Sequence, residues 1–116
     1  MSPMCQYSAT AGIPEEWHHV HLCSRAVGGA GIVFTEATHI SQEGRITPNC
    51  LGIWNNEQRD AFKRTTSFIL EQGAIPAIQR ILDDGTISSI PMSVGNKDYR
   101  EYLAWVAEGN TAEAAD

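Results

Sequence analysis

The run Gly31-Ile32-Val33-Phe34-Thr35-Glu36-Ala37 is continuous and rich in β-branched residues. It predicts a strand over 31–37 buried on both faces, as in a parallel sheet. Before it, Trp17, Val20, His21 and Ser24 recur at i, i+3, i+4 and i+7, which predicts a helix with one bulky, partly apolar face. Pro14 suits the first position of that helix, Glu15 and Glu16 suit its positive end, and Gly28-Gly29 stops it. After the strand, Ala61, Phe62, Thr65, Phe68, Ile69 and Gln72 mark the inner face of a second helix. Asn55 or Asn56 can cap it, and Gly73 ends it. Residues 74–79 then read as a short strand. If residues 1–5 are the end of a strand, the order is β-α-β-α-β. That order demands right-handed crossovers and a parallel sheet. Thr38 to Trp54 reads as a long loop rich in Ser, Gly, Pro and Asn, a length that in a compact domain points to function or to disorder.

Past Gln79 the pattern changes. Arg80-Ile81-Leu82-Asp83 and Thr86-Ile87-Ser88-Ser89-Ile90 flank Asp84-Gly85, a strong hairpin signal. Asp98 opens a helix over 98–108, Glu101 completes a capping box, and Tyr99, Tyr102, Leu103 and Val106 form its stripe. A hairpin followed by a helix is not how a βα repeat continues. The chain therefore divides into residues 1–79 and a hairpin–helix tail, 80–116.

Composition narrows the function classes. A chain of 116 residues with 42% hydrophobic content can build one core. A net charge of −6 disfavours a nucleic-acid surface and an anionic membrane. No apolar run approaches the roughly 18 residues of a spanning helix. Met1 leads into Ser2-Pro3-Met4-Cys5 without a signal-like segment, so the expected location is cytoplasmic. Three cysteines, odd in number and widely spaced, read as free thiols.

The chemistry concentrates in Ser2-Pro3-Met4-Cys5-Gln6-Tyr7, which puts a proline, a thiol, an amide and a phenol within six residues. A cysteine taken alone is more often a small buried hydrophobe, and that is the expectation for Cys23 and Cys50. For Cys5 its neighbours raise the functional reading. His18, His19 and His21 lack acidic or cysteine partners at ligand spacing, so no metal is expected. They are assigned to packing and to hydrogen bonds with the sheet. His39 and Arg45 are expected to order the long loop or lie on its surface. Gly28-Gly29-Ala30-Gly31 precedes a strand instead of following one, which rules out a dinucleotide fingerprint. Tyr99, Tyr102 and Trp105 read as a core stripe.

Six segments stand in order at suitable spacing: Ser2 to Tyr7, Trp17-His-x-x-His21, Ala26-Val-Gly-Gly-Ala-Gly31, Glu36-Ala-Thr38, Glu43-Gly-Arg-Ile-Thr-Pro48 and Leu51-Gly-Ile-Trp54. Together they resemble the old yellow enzyme family, in particular its thermophilic-like bacterial branch with a cysteine at the flavin. The resemblance covers about residues 2–79. It implies an α/β chain forming about three βα units of a (β/α)8 TIM barrel, followed by the hairpin and C-terminal helix. It further implies FMN as cofactor, NADPH or NADH as hydride donor and an enone-type small molecule as substrate. Ser2, Pro3 and Met4 match the segment along the flavin, and Cys5 the thiol near its reactive edge. Tyr7 matches a phenol facing substrate, Ala37 a backbone contact to the ring, and Gln79 the amide pairing with the pyrimidine edge. Cys5, Ala37 and Gln79 each fall at the C-terminal end of an expected strand, where barrel enzymes place their sites.

A complete barrel takes about 250 residues, so the resemblance implies an N-terminal fragment, inactive alone and open to self-association through an exposed sheet edge. After Gln79 the family continues with a Leu-x-His-x-Gly-Arg type segment, and Arg80 to Gly85 departs from it. Residues 79–116 resemble short phage tail-fibre and tail-assembly segments. The alternative reading is therefore a non-enzymatic fusion product with a tail-type interaction module.

Overall fold

The computed structural model describes residues 3–82 and 84–91. Its elements are α1 (Glu16–Val27), β1 (Ile32–His39), β2 (Leu51–Gly52), α2 (Asn56–Glu71), β3 (Ile75–Ile81) and β4 (Ile87–Pro91). They build one sheet in the order β2-β1-β3-β4. The first three strands are parallel, and β4 returns antiparallel on β3. The expected parallel pair 31–37 and 74–79, with the second helix between them in sequence, is β1–α2–β3. The expected hairpin is β3–β4, whose first arm is the continuation of β3 through Arg80 and Ile81. Gly85 takes φ +81 in its turn, and Thr86 N–H donates to Asp84 Oδ1 at 2.8 Å. The helix expected over 98–108, with its Tyr99, Tyr102 and Trp105 stripe, lies outside the described residues.

Several local expectations are corrected. Pro14 does not open α1: the helix begins at Glu16 with Glu15 as its N-cap. Glu15 N–H donates to Nδ1 of His18 at 3.0 Å, so a histidine closes the first turn in the place where a capping box usually has Glu or Gln. The Trp17/Val20/Ser24 face is exposed, with Trp17 at 54% and Val20 at 57%. The face turned inward is His18, Leu22, Cys23 and Ala26. Periodicity alone could not choose, because both faces repeat at helical spacing and the buried one carries a histidine. For α2 the inner face is Gln58, Phe62, Thr65 and Ile69, while Gln72 is exposed. Asn55 is its cap, accepting from Gln58 N–H at 2.9 Å.

The long loop is shorter than expected. β1 runs on through Thr38 and His39, which pair with Leu51 and Gly52 of β2. A two-residue strand is too short to leave a periodic signal. His39 is accordingly a buried strand residue, its Nδ1 3.3 Å from Leu51 O, and not part of a loop surface. Arg45 does order the loop: it donates to the carbonyls of Gln42 and Pro48, each at 3.0 Å, and lies 5.3 Å over the Trp54 ring.

The main core joins the helices to the sheet through Leu22, Cys23, Ala26, Val33, Ile69 and Ala74, with Ala30 and Phe68 at its margin. A second cluster, Ala9, Leu51 and Phe62, ties the N-terminal segment to β2 and α2. Cys23 and Cys50 are buried free thiols, as expected. Cys23 also lies 3.5 Å from His19 Nδ1. His19 bonds to Thr65 of α2 at 3.0 Å, so among the three helix histidines His18 is the one whose ring reaches a sheet side chain, Glu36.

Candidate functional site

The site forms where the N-terminal segment passes the C-terminal end of β1. Pro3 to Ala9 is not a strand, which corrects the expectation that Cys5 ends one. The segment is held by individual anchors. Ala9 is fully buried and its N–H donates to Asn49 O at 3.0 Å. Gln6 N–H donates to Oε2 of Glu36 at 2.7 Å. The Gln6 side-chain amide accepts from Trp17 Nε1 at 3.1 Å and donates to Met4 O at 2.9 Å. Tyr7 sits at φ +51, a left-handed conformation uncommon for a residue with a side chain.

These anchors place the Cys5 thiol near the Ala37 backbone and the Tyr7 hydroxyl, both of which favour its thiolate. Burial pushes the Cys5 thiol up from its ordinary value. The Ala37 backbone pulls it down, and the nearby Glu36 and Cys50 push it up further. Tyr7 is raised too, chiefly by the negative charge that Cys5 carries when ionised. A protonated thiol at neutral pH is a weak hydrogen-bond donor and not a ready nucleophile.

Ala37 stands opposite Gln79 in the β1–β3 register. The pairing shifts just before that point: Phe34 meets Ala77 and Ala37 meets Gln79, so Thr35 and Glu36 together face Ile78. Such a bulge re-aims the residues after it, and bulges recur next to active sites. Here it leaves Gln79 N–H to donate to Thr35 Oγ1 at 3.2 Å. The Gln79 side-chain amide has no hydrogen-bond partner among the described residues. It offers both a donor and an acceptor.

Of the expected site residues, Cys5, Tyr7, Ala37 and Gln79 thus gather at one end of the sheet. Pro3 is half-buried beside them, and Met4 is 74% exposed. Ser2 lies outside the described residues. Sequence reasoning passed over Glu36 and underrated His18. Glu36 is 4% exposed and His18 2%, and Nε2 of His18 is 3.7 Å from Oε1 of Glu36. The signal was available: a carboxylate inside a strand buried on both faces demands a buried partner. A separate cleft of about 290 Å³, lined by Ala11, Ile13, Gln42, Arg45, Trp54, Asn55 and Glu57, shares no residue with this group. No cluster of His, Cys, Asp or Glu suited to a metal occurs among the described residues. No helix among them is long and apolar enough to cross a membrane.

A sheet whose first three strands are parallel, with α1 leading into β1 and α2 joining β2 to β3, is an α/β arrangement, and the old yellow enzyme structures it resembles make it part of a (β/α)8 barrel. The chain belongs to the NADH:flavin oxidoreductase / NADH oxidase family, whose model matches residues 1–92. It is 42% identical over 81 residues to an NADPH dehydrogenase of Geobacillus sp., covering 68% of this chain and 24% of that protein. It is 46% identical over 81 residues to an NADPH dehydrogenase of Listeria monocytogenes, with the same coverage of 68% and 24%. The structure resembles the old yellow enzyme homologue from Zymomonas mobilis at TM-score 0.63 and 33% identity, over 69% of this chain and 22% of that one. It also resembles morphinone reductase at TM-score 0.63 and 26% identity, over 69% and 21%. The chain spans about a quarter of the length of the curated relatives it matches.

Proposed function

We propose that this chain supplies one wall of an FMN site in an oxidoreductase of the old yellow enzyme type, and that the 116-residue chain alone does not turn over. The observation that carries the reading is the register of Ala37 with Gln79, together with the Cys5 thiol at the Ala37 backbone. The residues present fit the flavin. Gln79 has a side-chain amide without a partner among the described residues, and its donor and acceptor suit a pyrimidine edge. A protonated Cys5 offers a weak donor beside the ring without fixing a charge there. Pro3 and Met4 continue the same wall, as would Ser2, and Tyr7 faces the substrate side. FMN, when bound, supplies the hydride relay from NADPH or NADH to an enone-type alkene.

One wall does not make a site. Redox turnover needs donor and acceptor held at near-contact, and a misplacement of about 1 Å can cost around a hundredfold. Completion by further copies through an open sheet edge belongs to the same reading, as do a cytoplasmic setting and a separate origin for residues 80–116.

The test is an FMN titration of the isotope-labelled chain. The amide resonances of Cys5, Ala37 and Gln79 should shift, equally with riboflavin and FMN, at an affinity weaker than micromolar. NADPH oxidation with an enone acceptor should stay at background. Absence of shifts at these residues overturns the wall. Micromolar binding with turnover that Cys5→Ala plus Gln79→Ala abolishes overturns the inactivity.

A further inference from the structure

Two fully buried polar atoms face each other across the interface of α1 and β1 without a hydrogen bond: Nε2 of His18 and Oε1 of Glu36, 3.7 Å apart. Both side chains are removed from water, at 2% and 3% exposure. Burial of a carboxylate is costly unless something else satisfies it. The hydrogen bond that satisfies it does not come from α1. The other carboxylate oxygen, Oε2, accepts the backbone N–H of Gln6 at 2.7 Å. That distance is in the range of charge-assisted bonds. Gln6 immediately follows Cys5, whose thiol meets the backbone of Ala37, the residue after Glu36.

His18 is fixed from its other side. Its Nδ1 accepts the N–H of Glu15 at 3.0 Å, so Nδ1 holds a lone pair and the proton of the neutral ring is on Nε2. The ring therefore presents an N–H to Glu36. The contact is a donor facing an acceptor at long range, not an ion pair.

We propose that His18 and Glu36 form a buried positioning pair for Cys5: His18 orients the Glu36 carboxylate, which clamps the Gln6 amide and sets a negative charge beside the Cys5 thiol. The pair acts through the N-terminal segment and touches no ligand, so both are positioning residues. The clamp explains why an irregular segment can hold a thiol in one place. Three titratable groups bear on Cys5, beside the Ala37 backbone: Glu36 from β1, Cys50 from the turn before β2, and Tyr7 from its own segment. His18 and His21 of α1 bear on Glu36. The proposal deepens the flavin-wall reading by assigning what holds its thiol. Its test uses the chain without flavin, so it can fail or succeed independently of that reading.

The experiment is peptide-resolved alkylation of Cys5 by iodoacetamide against pH, beside amide exchange at Gln6. Alkylation follows the thiolate fraction. Glu36→Gln keeps an oxygen for the Gln6 N–H and removes the charge. The Cys5 alkylation midpoint should move to lower pH while Gln6 stays protected. Glu36→Ala removes the acceptor as well, and Gln6 should lose its protection. An unchanged Cys5 midpoint in folded Glu36→Gln overturns the charge assignment. Two readings on the unmutated chain keep the proposal testable if the variants do not fold. Gln6 exchanging at the rate of an open chain overturns the clamp. A ring nitrogen spectrum showing the proton on Nδ1 of His18 overturns the pair.

Discussion

The hydroxyl of Thr35 accepts the backbone N–H of Gln79 across 3.2 Å, a side chain completing a ladder that the bulge in β1 interrupts. Thr35 is buried and its hydroxyl also touches that of Thr38 at 3.2 Å, which in turn donates to Glu36 O at 2.9 Å. A run of hydroxyls thus carries the strand past its irregular point and leaves Gln79 opposite Ala37. Thr35→Val conserves shape but removes the acceptor. A half-buried N–H left without a partner costs about 1–3 kcal/mol. The expected result is a loss of that order in chemical denaturation, with faster amide exchange at Gln79. Unchanged exchange at Gln79 would show that the hydroxyl is incidental.

Gly12 has φ +78, and a Cβ there would come within 2.5 Å of Gln58 Nε2 and 2.6 Å of Trp54 Cη2. Two penalties therefore add in Gly12→Ala. The left-handed backbone costs roughly 1–2 kcal/mol with a Cβ, and overpacking typically about 1–3 kcal/mol more. Thermal unfolding should fall accordingly. Gly29→Ala is the internal control: its φ is +92 but nothing lies within 4 Å of the added Cβ, so it should cost only the backbone share.

Gln58 is the buried polar counterpart of that glycine. It is 0% exposed; its Oε1 accepts Trp54 N–H at 2.9 Å and its Nε2 donates to Ala11 O at 2.9 Å. One side chain thereby fastens the turn before α1 to the N-terminus of α2. Gln58→Leu fills the space but strands both backbone groups, at about 1–3 kcal/mol each where no water replaces the partner. Gln58→Glu keeps the acceptor and loses the donor. Glu should be the more damaging at high pH, where a buried carboxylate faces Ala11 O, and it should recover relative to Leu as the carboxyl protonates and regains an O–H donor. Denaturation midpoints at two pH values decide it.

Strongly patterned elements were legible in the sequence. The apolar run at 31–37, the Asn55 cap and the Asp84-Gly85 turn each have a local physical cause, and each is found where expected. What was not legible depends on tertiary contact. The inward face of α1 is set by a histidine that pairs across to β1, so its side chain reads as polar while its environment is core. The N-terminal segment is positioned by Glu36 and Asn49, thirty and forty residues away from Gln6 and Ala9, and no window along the chain contains both ends of those bonds. The site residues themselves came from motif resemblance. Their meeting depends on a bulge whose register only the paired strands reveal.

The thiols give the fold a dependence on alkaline pH whose sign follows from burial. Cys5 and Cys23 are both raised, in each case chiefly by loss of solvent around the thiolate. At Cys23 the Arg64 guanidinium opposes this, and at Cys5 the Ala37 backbone does. A raised value in the native state means that the folded chain binds the thiol proton more tightly than the unfolded chain does. The resulting stability is fully present below the unfolded thiol value, about 8.5. It declines as pH rises from there and is lost through the higher folded value. Thermal unfolding should therefore show a plateau below about pH 8 and a falling midpoint above it. Cys5→Ala removes one contribution and Cys5→Ala with Cys23→Ala removes both, so the slope above the plateau should flatten in two steps. The neutral-pH midpoint should change mainly with the Cys23 substitution, since Cys23 belongs to the main core and Cys5 does not. A slope that survives the double substitution unchanged would assign the alkaline loss to other groups and remove the thiols from the account.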